Sequence, residues 1–399
     1  MTLGARLSDC RNKLRWTQTQ ISTALKVPRE LVSMWENDVR KPNVRQVEDL
    51  ALLLGTTAKA LLTGSENAIP KTTPGMLLRG WDTASPEVKK EMNNWLGFLD
   101  EWSDFIDESS HDLKSQAPRK LDKGPDFSDI RSASKLAADV REHFNLGLYA
   151  LPDLYTFLDD YHITVCQAKL GAIGEGNDGI SGIFLNHEKL GYCILINAQT
   201  SKGRQMFTLA HEFGHALYHY GAKSIVSYYG ERNAREQFAD AFAAHFLVPG
   251  KGLRNLIEEN EWAKQMSEHV ALILANYFNV SYAFMLNRLA FEGLISTTQR
   301  SDWQNLSPKS LAQQIGLDPE LFRSRLNDDL YSNRYPASVI TRVRELIEEE
   351  ELTIAQAADL LRLDPLTIQT NWMNTAANAD ENEQRELAEF ALVYGSSKI

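Results

Sequence analysis

One segment of this chain, residues 207–249, restricts its fold and chemistry more than any other. The first half contains the pattern H-E-x-x-H, formed by His211, Glu212 and His215. Residues four apart on a helix share one face, so both imidazoles can reach a single Zn²⁺ while the glutamate stands beside it. Apolar residues fill the positions between them, which is typical of a buried helix. A zinc ion held by two histidines needs at least one more protein ligand and keeps one place for water.

The second half of the segment supplies candidates for the third ligand. Glu236 and Asp240 are again four residues apart and share a helix face. One carboxylate can bind the metal while the other accepts the N–H of a ligating histidine. The chemistry alone permits either order, but the longer side chain, nearer the first helix, favours Glu236 as the ligand and Asp240 as the partner of the histidine. Glu212 is then the predicted catalytic base, which accepts a proton from water.

The two patterns together resemble the ImmA/IrrE family of metallopeptidases. The resemblance rests on HEFGHALYH and on E-x-x-A-D-x-F-A-A-x-x-L-x-P, which begins at Glu236, and it covers about residues 131–292. It implies a compact zincin-like α+β domain in which Glu236 is the third ligand. It also implies a protein substrate, because family members typically act on regulatory proteins, often DNA-binding repressors, and frequently carry helix-turn-helix modules.

Residues 1–64 are predicted to be a separate bundle of four or five helices. Apolar residues recur at helical spacing in four runs. Thr17 is a natural N-cap for the second helix, and Pro28 suits the first turn of the third. The run T-Q-x-x-I-S, followed by W-E-N and K-P, resembles the Xre/Cro-type helix-turn-helix. This resemblance implies that the third helix enters the major groove of DNA.

The same resemblance implies which side chains meet DNA. They are Gln18, Arg29, Glu30, Ser33, Met34, Arg40 and Lys41. An arginine in the groove can pair with guanine, whereas Arg40 and Lys41 follow the recognition helix, where such domains meet phosphates. Asp38 replaces the usual glycine at a position that needs a positive φ, which aspartate tolerates better than most residues. The alternative for this bundle is protein contact only.

Residues 65–130 are predicted to be a linker and a helical stalk. Two polar segments with prolines, 65–75 and 109–129, flank a helix that starts after Ser85. Its apolar positions form a heptad-like seam over residues 88–106. The seam has two interpretations, packing on the neighbouring domain or dimerisation. Helix-turn-helix heads usually bind paired half-sites, so the second interpretation predicts a homodimer.

Residues 131–250 are predicted to be the metallopeptidase domain. Three β-rich runs precede the H-E-x-x-H helix, at residues 162–166, 180–184 and 192–196. They predict a small sheet whose edge strand can pair with an extended substrate. The segment between the two metal-bearing helices is predicted to be a loop that contains Tyr228 and Tyr229.

The remaining segments are helical by pattern. Residues 251–295 are predicted to be a helix-turn-helix-like pair in which Ser281 caps the second helix. Residues 296–399 are predicted to be a helical C-terminal regulatory region. The whole chain is therefore predicted to be mainly α with one small sheet.

Composition limits the compartment and the mode of binding. The net charge of −11 over 399 residues argues against extensive coating by nucleic acid, but residues 1–64 carry ten Lys/Arg against six Asp/Glu. No apolar run approaches about 18 residues, the length of a membrane helix. The three widely spaced cysteines and the lack of a signal pattern favour a cytoplasmic protein.

These patterns predict a DNA-binding transcriptional regulator with a zinc-dependent endopeptidase domain that cleaves a regulatory protein, either a repressor or this protein itself. The competing hypothesis is a non-enzymatic transcription factor or antitoxin-like autorepressor whose peptidase domain senses metal or is vestigial. The intact Glu212 argues against the competitor, because metal binding alone does not require that side chain.

Overall fold

The computed structural model describes residues 2–13, 16–54, 58–64, 85–105, 130–151, 153–172, 179–218, 224–228, 233–317 and 334–370. The predicted linker segments 65–75 and 109–129 and Tyr229 lie outside the described residues. The chain divides into two compact units, Met1–Pro336 and Ala337–Ile399. The structure is mostly helical with one small mixed sheet, which confirms the predicted fold class.

Five helices form the N-terminal bundle: α1 (Leu3–Lys13), α2 (Gln18–Ala24), α3 (Arg29–Glu36), α4 (Val44–Leu54) and α5 (Ala58–Thr63). Thr17 caps α2 as predicted, because its hydroxyl accepts the backbone N–H of Gln20 in a capping box. Pro28 is the N-cap residue of α3 rather than part of its first turn. Val32 and Trp35 of α3 are buried in the apolar core of the bundle.

Asp38 terminates α3 in the conformation that a glycine usually adopts. Its φ is 56°, in the left-handed region, as predicted. Its carboxylate accepts the backbone N–H of Gly4 at 2.9 Å and the hydroxyl of Thr2. These two hydrogen bonds lower the pKa of Asp38. They also tie the turn after α3 to the start of α1.

Helix α6 (Pro86–Trp102) joins the bundle to the rest of the first unit. Ser85 caps it and Pro86 occupies its first turn, as predicted. It packs against α2 and α4 on one side and against strand β1 (Thr164–Ala168) on the other. Eleven of its 17 residues are buried, and the amide of Asn93 donates to the carbonyl of Leu53 in α4 at 3.1 Å. The apolar positions of the seam from Val88 to Trp102 are therefore covered within the chain, as the packing interpretation expects, and Ile106 lies outside the described residues.

The sheet has four strands in the order β1-β3-β2-β4. The remaining strands are β2 (Ile180–His187), β3 (Gly191–Asn197) and β4 (Ser224–Tyr228). Strand β1 runs parallel to β3, whereas β2 runs antiparallel to both β3 and β4. The three strands predicted from the sequence are confirmed.

The prediction of a loop between the two metal-bearing helices is wrong at residues 224–228, where β4 forms. Ile225, Val226 and Tyr228 are residue types that favour strands. The edge of β2 supplies their hydrogen-bond partners, and this long-range pairing is not visible in the sequence. A register shift between Ile180 and Gly182 marks a bulge in β2 opposite β4.

The rest of the first unit, over its described residues, contains nine α-helices and one 3-10 helix (Trp262–Lys264). The α-helices are α7 (Ile130–His143), α8 (Leu154–Asp160), α9 (Lys202–Tyr218), α10 (Ala234–Leu247), α11 (Gly250–Glu259), α12 (Glu268–Tyr277), α13 (Tyr282–Phe291), α14 (Thr297–Gln304) and α15 (Pro308–Gln314). Helix α9 lies on β2 and β3, and α10 lies between α9 and α7. The buried guanidinium of Arg141 in α7 donates to the carbonyl of Phe246 at 2.6 Å. This contact anchors the C-terminal end of α10.

Helices α12 and α13 form the predicted helix-turn-helix-like pair. Ser281 caps α13 by accepting the backbone N–H of Phe284, as predicted. The two helices cross at 107° and contribute many residues to the buried core. No single described helix is long and apolar enough to span a membrane. Taken together, α12 and α13 have the length and apolar composition of a membrane span, but they are bent at the turn between them.

The second unit is helical over the residues described. It contains α16 (Ala337–Glu348), α17 (Ile354–Leu361) and α18 (Pro365–Ile368). Thr353 caps α17 in a capping box, and Asp364 caps α18. The predicted helical character is thus confirmed for residues 337–370, and residues 371–399 lie outside the described part.

Candidate metal centre and DNA-facing surface

Helices α9 and α10 bring the two halves of the predicted centre together. They pack closely because Gly214 has no side chain: a Cβ there would lie 2.8 Å from Cδ1 of Phe242. Asn233 caps α10 by accepting the backbone N–H of Glu236 at 3.0 Å. The cap places Glu236 in the first turn of α10, against the histidines of α9.

Three buried side chains converge at this contact: His211, His215 and Glu236. Nε2 of His211 lies 3.0 Å from Oε2 of Glu236 and 3.0 Å from Nε2 of His215. Nε2 of His215 lies 3.4 Å from Oε1 of Glu236. Two imidazoles and one carboxylate at this spacing could hold a metal ion.

A cation fits these atoms better than hydrogen bonds among them. Oδ1 of Asp240 lies 2.9 Å from Nδ1 of His211, so Nδ1 carries the proton and Nε2 of the neutral ring presents its lone pair. That lone pair faces a carboxylate oxygen and a second imidazole nitrogen. One nitrogen cannot donate to both, whereas a metal ion would bind all three groups.

The pKa values of His211, His215 and Glu236 also indicate that a positive charge stabilises this site. Burial lowers the pKa of His211, but hydrogen bonds with Asp240 and Glu236 outweigh it and raise the value to about 10. Burial raises the pKa of Glu236, yet hydrogen bonds with both histidines leave it well below its ordinary value. Burial lowers the pKa of His215 to about 4. In the metal-free site a second proton, on Nε2 of His211, supplies the positive charge beside the carboxylate of Glu236. A metal ion would replace that proton and bind the lone pair of the neutral ring.

Glu212 is fully buried beside the three converging groups. Burial raises the pKa of Glu212 to about 8, although the charge of His211 and the nearby hydroxyl of Ser227 lower it in part. Neither carboxylate oxygen makes a hydrogen bond of good geometry within the described residues. Gly182 of β2 leaves room for this side chain, since a Cβ there would lie 2.7 Å from Oε1. A fully buried carboxylate with so little compensation is unfavourable for stability, which is typical of a functional site.

Sequence reasoning missed two residues that line this site. Ser227 of β4 is buried, and its Oγ lies 3.3 Å from Nε2 of His211. Gly182 lies opposite Ser227 in the sheet register. A glycine inside a β-rich run is a known signal for close backbone approach, but no local signal identifies Ser227.

The residues predicted to face DNA lie on the outside of the N-terminal bundle, with one difference. Those that are exposed are Arg29, Glu30, Met34, Arg40 and Lys41, and Ser33 is half-buried. The amide of Gln18 instead donates to Oε2 of Glu36 at 2.9 Å, and Glu36 also pairs with Arg11. In this structure the Gln18 side chain therefore holds α2 against α3.

The fold and the site together define a helix-turn-helix bundle joined to an α+β domain of metallopeptidase type. Comparison with known families agrees with this description. Residues 7–61 match the helix-turn-helix family, and residues 159–290 match the IrrE N-terminal-like domain. The chain is therefore a fusion of a helix-turn-helix domain with an ImmA/IrrE-like domain, as the motifs predict. A comparison with curated proteins found no match.

Proposed function

We propose that this protein is a DNA-binding transcriptional regulator whose zinc-dependent endopeptidase domain cleaves a regulatory protein, either a repressor or the protein itself. The observation that carries the proposal is the place of Glu212, a fully buried carboxylate beside three converging metal-type ligands. Metal binding alone needs no such residue, whereas peptide hydrolysis needs a base.

In this proposal His211, His215 and Glu236 hold the metal ion. Asp240 accepts the Nδ1–H of His211 and so keeps the Nε2 lone pair directed at the centre. Bound Zn²⁺ would lower the pKa of a water molecule and polarise the scissile carbonyl.

Glu212 moves the proton in the proposed reaction. Its carboxylate accepts a proton from the attacking water and later returns it to the nitrogen of the leaving amine. Its buried position beside the proposed ligands lets the carboxylate take a proton from water and release it within the site. The missing side chain at Gly182 leaves the space that the carboxylate occupies.

We expect the substrate to bind as an extended strand along β4. Among the described strands β4 pairs only with β2, so its other edge can accept a peptide. The opposite outer strand, β1, is already engaged, because the backbone N–H of Gln167 donates to the carbonyl of Arg334 at 2.9 Å. A peptide on β4 would pass close to Ser227 and the centre.

The N-terminal bundle is proposed to bind duplex DNA through α3. Arg29 is exposed in its first turn, where it can pair with a base, and Lys41 is exposed beyond its end. Arg29→Ala should cost about 1–3 kcal/mol and relax sequence preference, while Lys41→Ala should weaken all sequences alike. Titrations of the full chain with DNA at several salt concentrations measure both effects. Affinity that does not depend on salt would contradict DNA binding through phosphates.

A non-enzymatic, metal-sensing regulator is the second candidate function. The observation that favours it is the burial of the centre, since both Glu212 and His215 have a relative exposure of 0%. A site closed to this degree suits a metal ion better than a polypeptide.

Metal analysis combined with a proteolysis assay separates the two candidates. Glu212→Gln has nearly the same shape but no base, so it should keep zinc and lose cleavage of candidate repressors. Wild-type protein that carries zinc, cleaves none of them and binds DNA only with zinc would favour the sensor. Loss of zinc in Glu212→Gln would contradict a role for Glu212 as base alone.

A further inference from the structure

We propose that Ser227 is a fourth protein group of the metal centre, whose hydroxyl competes with water for the remaining coordination position. This inference rests on the proposed function, because it requires a metal ion at His211, His215 and Glu236. Ser227 lies on β4, so it approaches from the sheet, whereas the other three groups lie on helices. Its relative exposure is 3%, and its Oγ lies 3.3 Å from Nε2 of His211.

The distances around the centre support this assignment. Four donors at about 2.0–2.1 Å from a tetrahedral zinc ion are separated from one another by about 3.4 Å. Nε2 of His211 lies 3.0 Å from the nearest atoms of His215 and Glu236 and 3.3 Å from Oγ of Ser227. The distance from Nε2 of His211 to the hydroxyl of Ser227 is therefore similar to its distances to the two other predicted ligands, His215 and Glu236.

The sheet fixes the position of the hydroxyl. Ser227 pairs in register with Gly182, next to the bulge in β2. Because Gly182 has no side chain, the carboxylate of Glu212 occupies the space beside it. Side chains alternate along a strand, so the neighbours Val226 and Tyr228 point to the other face. Ser227 thus lies on the same buried face of β4 as Ile225, and of these two only Ser227 carries a group that can bind a metal ion.

This placement has a consequence for the proposed hydrolysis. A zinc peptidase needs one coordination position open to water and substrate. If the hydroxyl of Ser227 held that position, water or a substrate carbonyl would have to replace it before Glu212 could accept a proton. Removal of the hydroxyl should therefore make the position more accessible to small anions.

Cobalt substitution tests whether the side chain at position 227 reaches the metal. The purified full chain would be loaded with Co²⁺ as wild type, Ser227→Cys and Val226→Cys. A thiolate bound to cobalt gives a charge-transfer band in the near ultraviolet, and thiolate is a strong ligand of such metals. We expect the band in Ser227→Cys and its absence in wild type and in Val226→Cys, whose side chain points away.

A second measurement covers the case in which Ser227→Cys does not fold. Azide should bind about 10-fold more tightly to cobalt-loaded Ser227→Ala than to wild type, a change of the size seen when groups around a metal are altered. A band in Ser227→Cys or this gain in azide affinity supports the inference. Stoichiometric cobalt without the band and with unchanged azide affinity overturns it and leaves the proposed centre intact. A wild type that binds no Co²⁺ or Zn²⁺ overturns the centre itself.

Discussion

Replacement of Gly182 by alanine tests the packing around the proposed base. A Cβ at this position would lie 2.7 Å from Oε1 and 2.9 Å from Cγ of Glu212, and 2.8 Å from Cγ2 of Thr208. Optimal carbon contacts are about 3.5–4.0 Å. The side chain of Glu212 or the strand itself therefore has to move by about 1 Å.

The cost of this substitution can be divided between its neighbours. Overpacking of a closely packed site destabilises a protein by about 1–3 kcal/mol. Glu212 supplies two of the three close contacts, so the cost should fall by at least about 0.5 kcal/mol in a Glu212→Ala background. A displacement of the carboxylate by about 1 Å should also lower the peptidase rate by about 100-fold.

Urea unfolding of wild type, both single variants and the double variant gives the coupling energy between the two positions. Ser181→Ala, at the adjacent position of β2, controls for a change in the strand itself. Zinc content should not change in Gly182→Ala, since Glu212 is not a proposed ligand. An equal cost of Gly182→Ala in both backgrounds would refute the close approach of the glycine to Glu212.

Three further predictions concern other parts of the first unit. Asp38→Ala should lower the midpoint of chemical denaturation, and Asp38→Gly should lower it less, because glycine adopts a positive φ without strain. The folded-state pKa values of His211 and Glu212 are raised from 6.5 to about 10 and from 4.5 to about 8. The metal-free protein should therefore lose stability as pH rises, between 4.5 and about 8 through Glu212 and between 6.5 and about 10 through His211. Chemical denaturation at several pH values, with a chelator present to remove metal, should show a smaller loss of stability with rising pH in Glu212→Gln than in wild type. Trp95→Glu combined with Leu99→Glu should destabilise the chain, because both side chains are buried within it, and sedimentation of a stable variant with half the wild-type mass would contradict this.

Features that depend on neighbours along the chain are predictable from this sequence. The spacing of His211, His215 and Glu236 places them on two helix faces, because a helix fixes the direction of each side chain. The caps at Thr17 and Ser281 follow from the same local chemistry.

Features that depend on distant partners are not predictable in this way. The five residues of β4 become a strand because β2 offers an edge, and Ser227 reaches the centre only through that pairing. The apolar spacing of α6 identifies a face to be buried but not the surface that buries it, which is the N-terminal bundle and β1. The amide of Gln18 likewise has a partner, Glu36, that the DNA-facing prediction does not include.

The zinc content of the purified protein and its variants tests the central claim most directly, namely that His211, His215 and Glu236 form one metal centre. We expect about one Zn²⁺ per chain in wild type, loss of the metal in His211→Ala and Glu236→Ala, and binding about 10- to 100-fold weaker in Asp240→Asn. Retention of zinc at wild-type affinity in Glu236→Ala would contradict it.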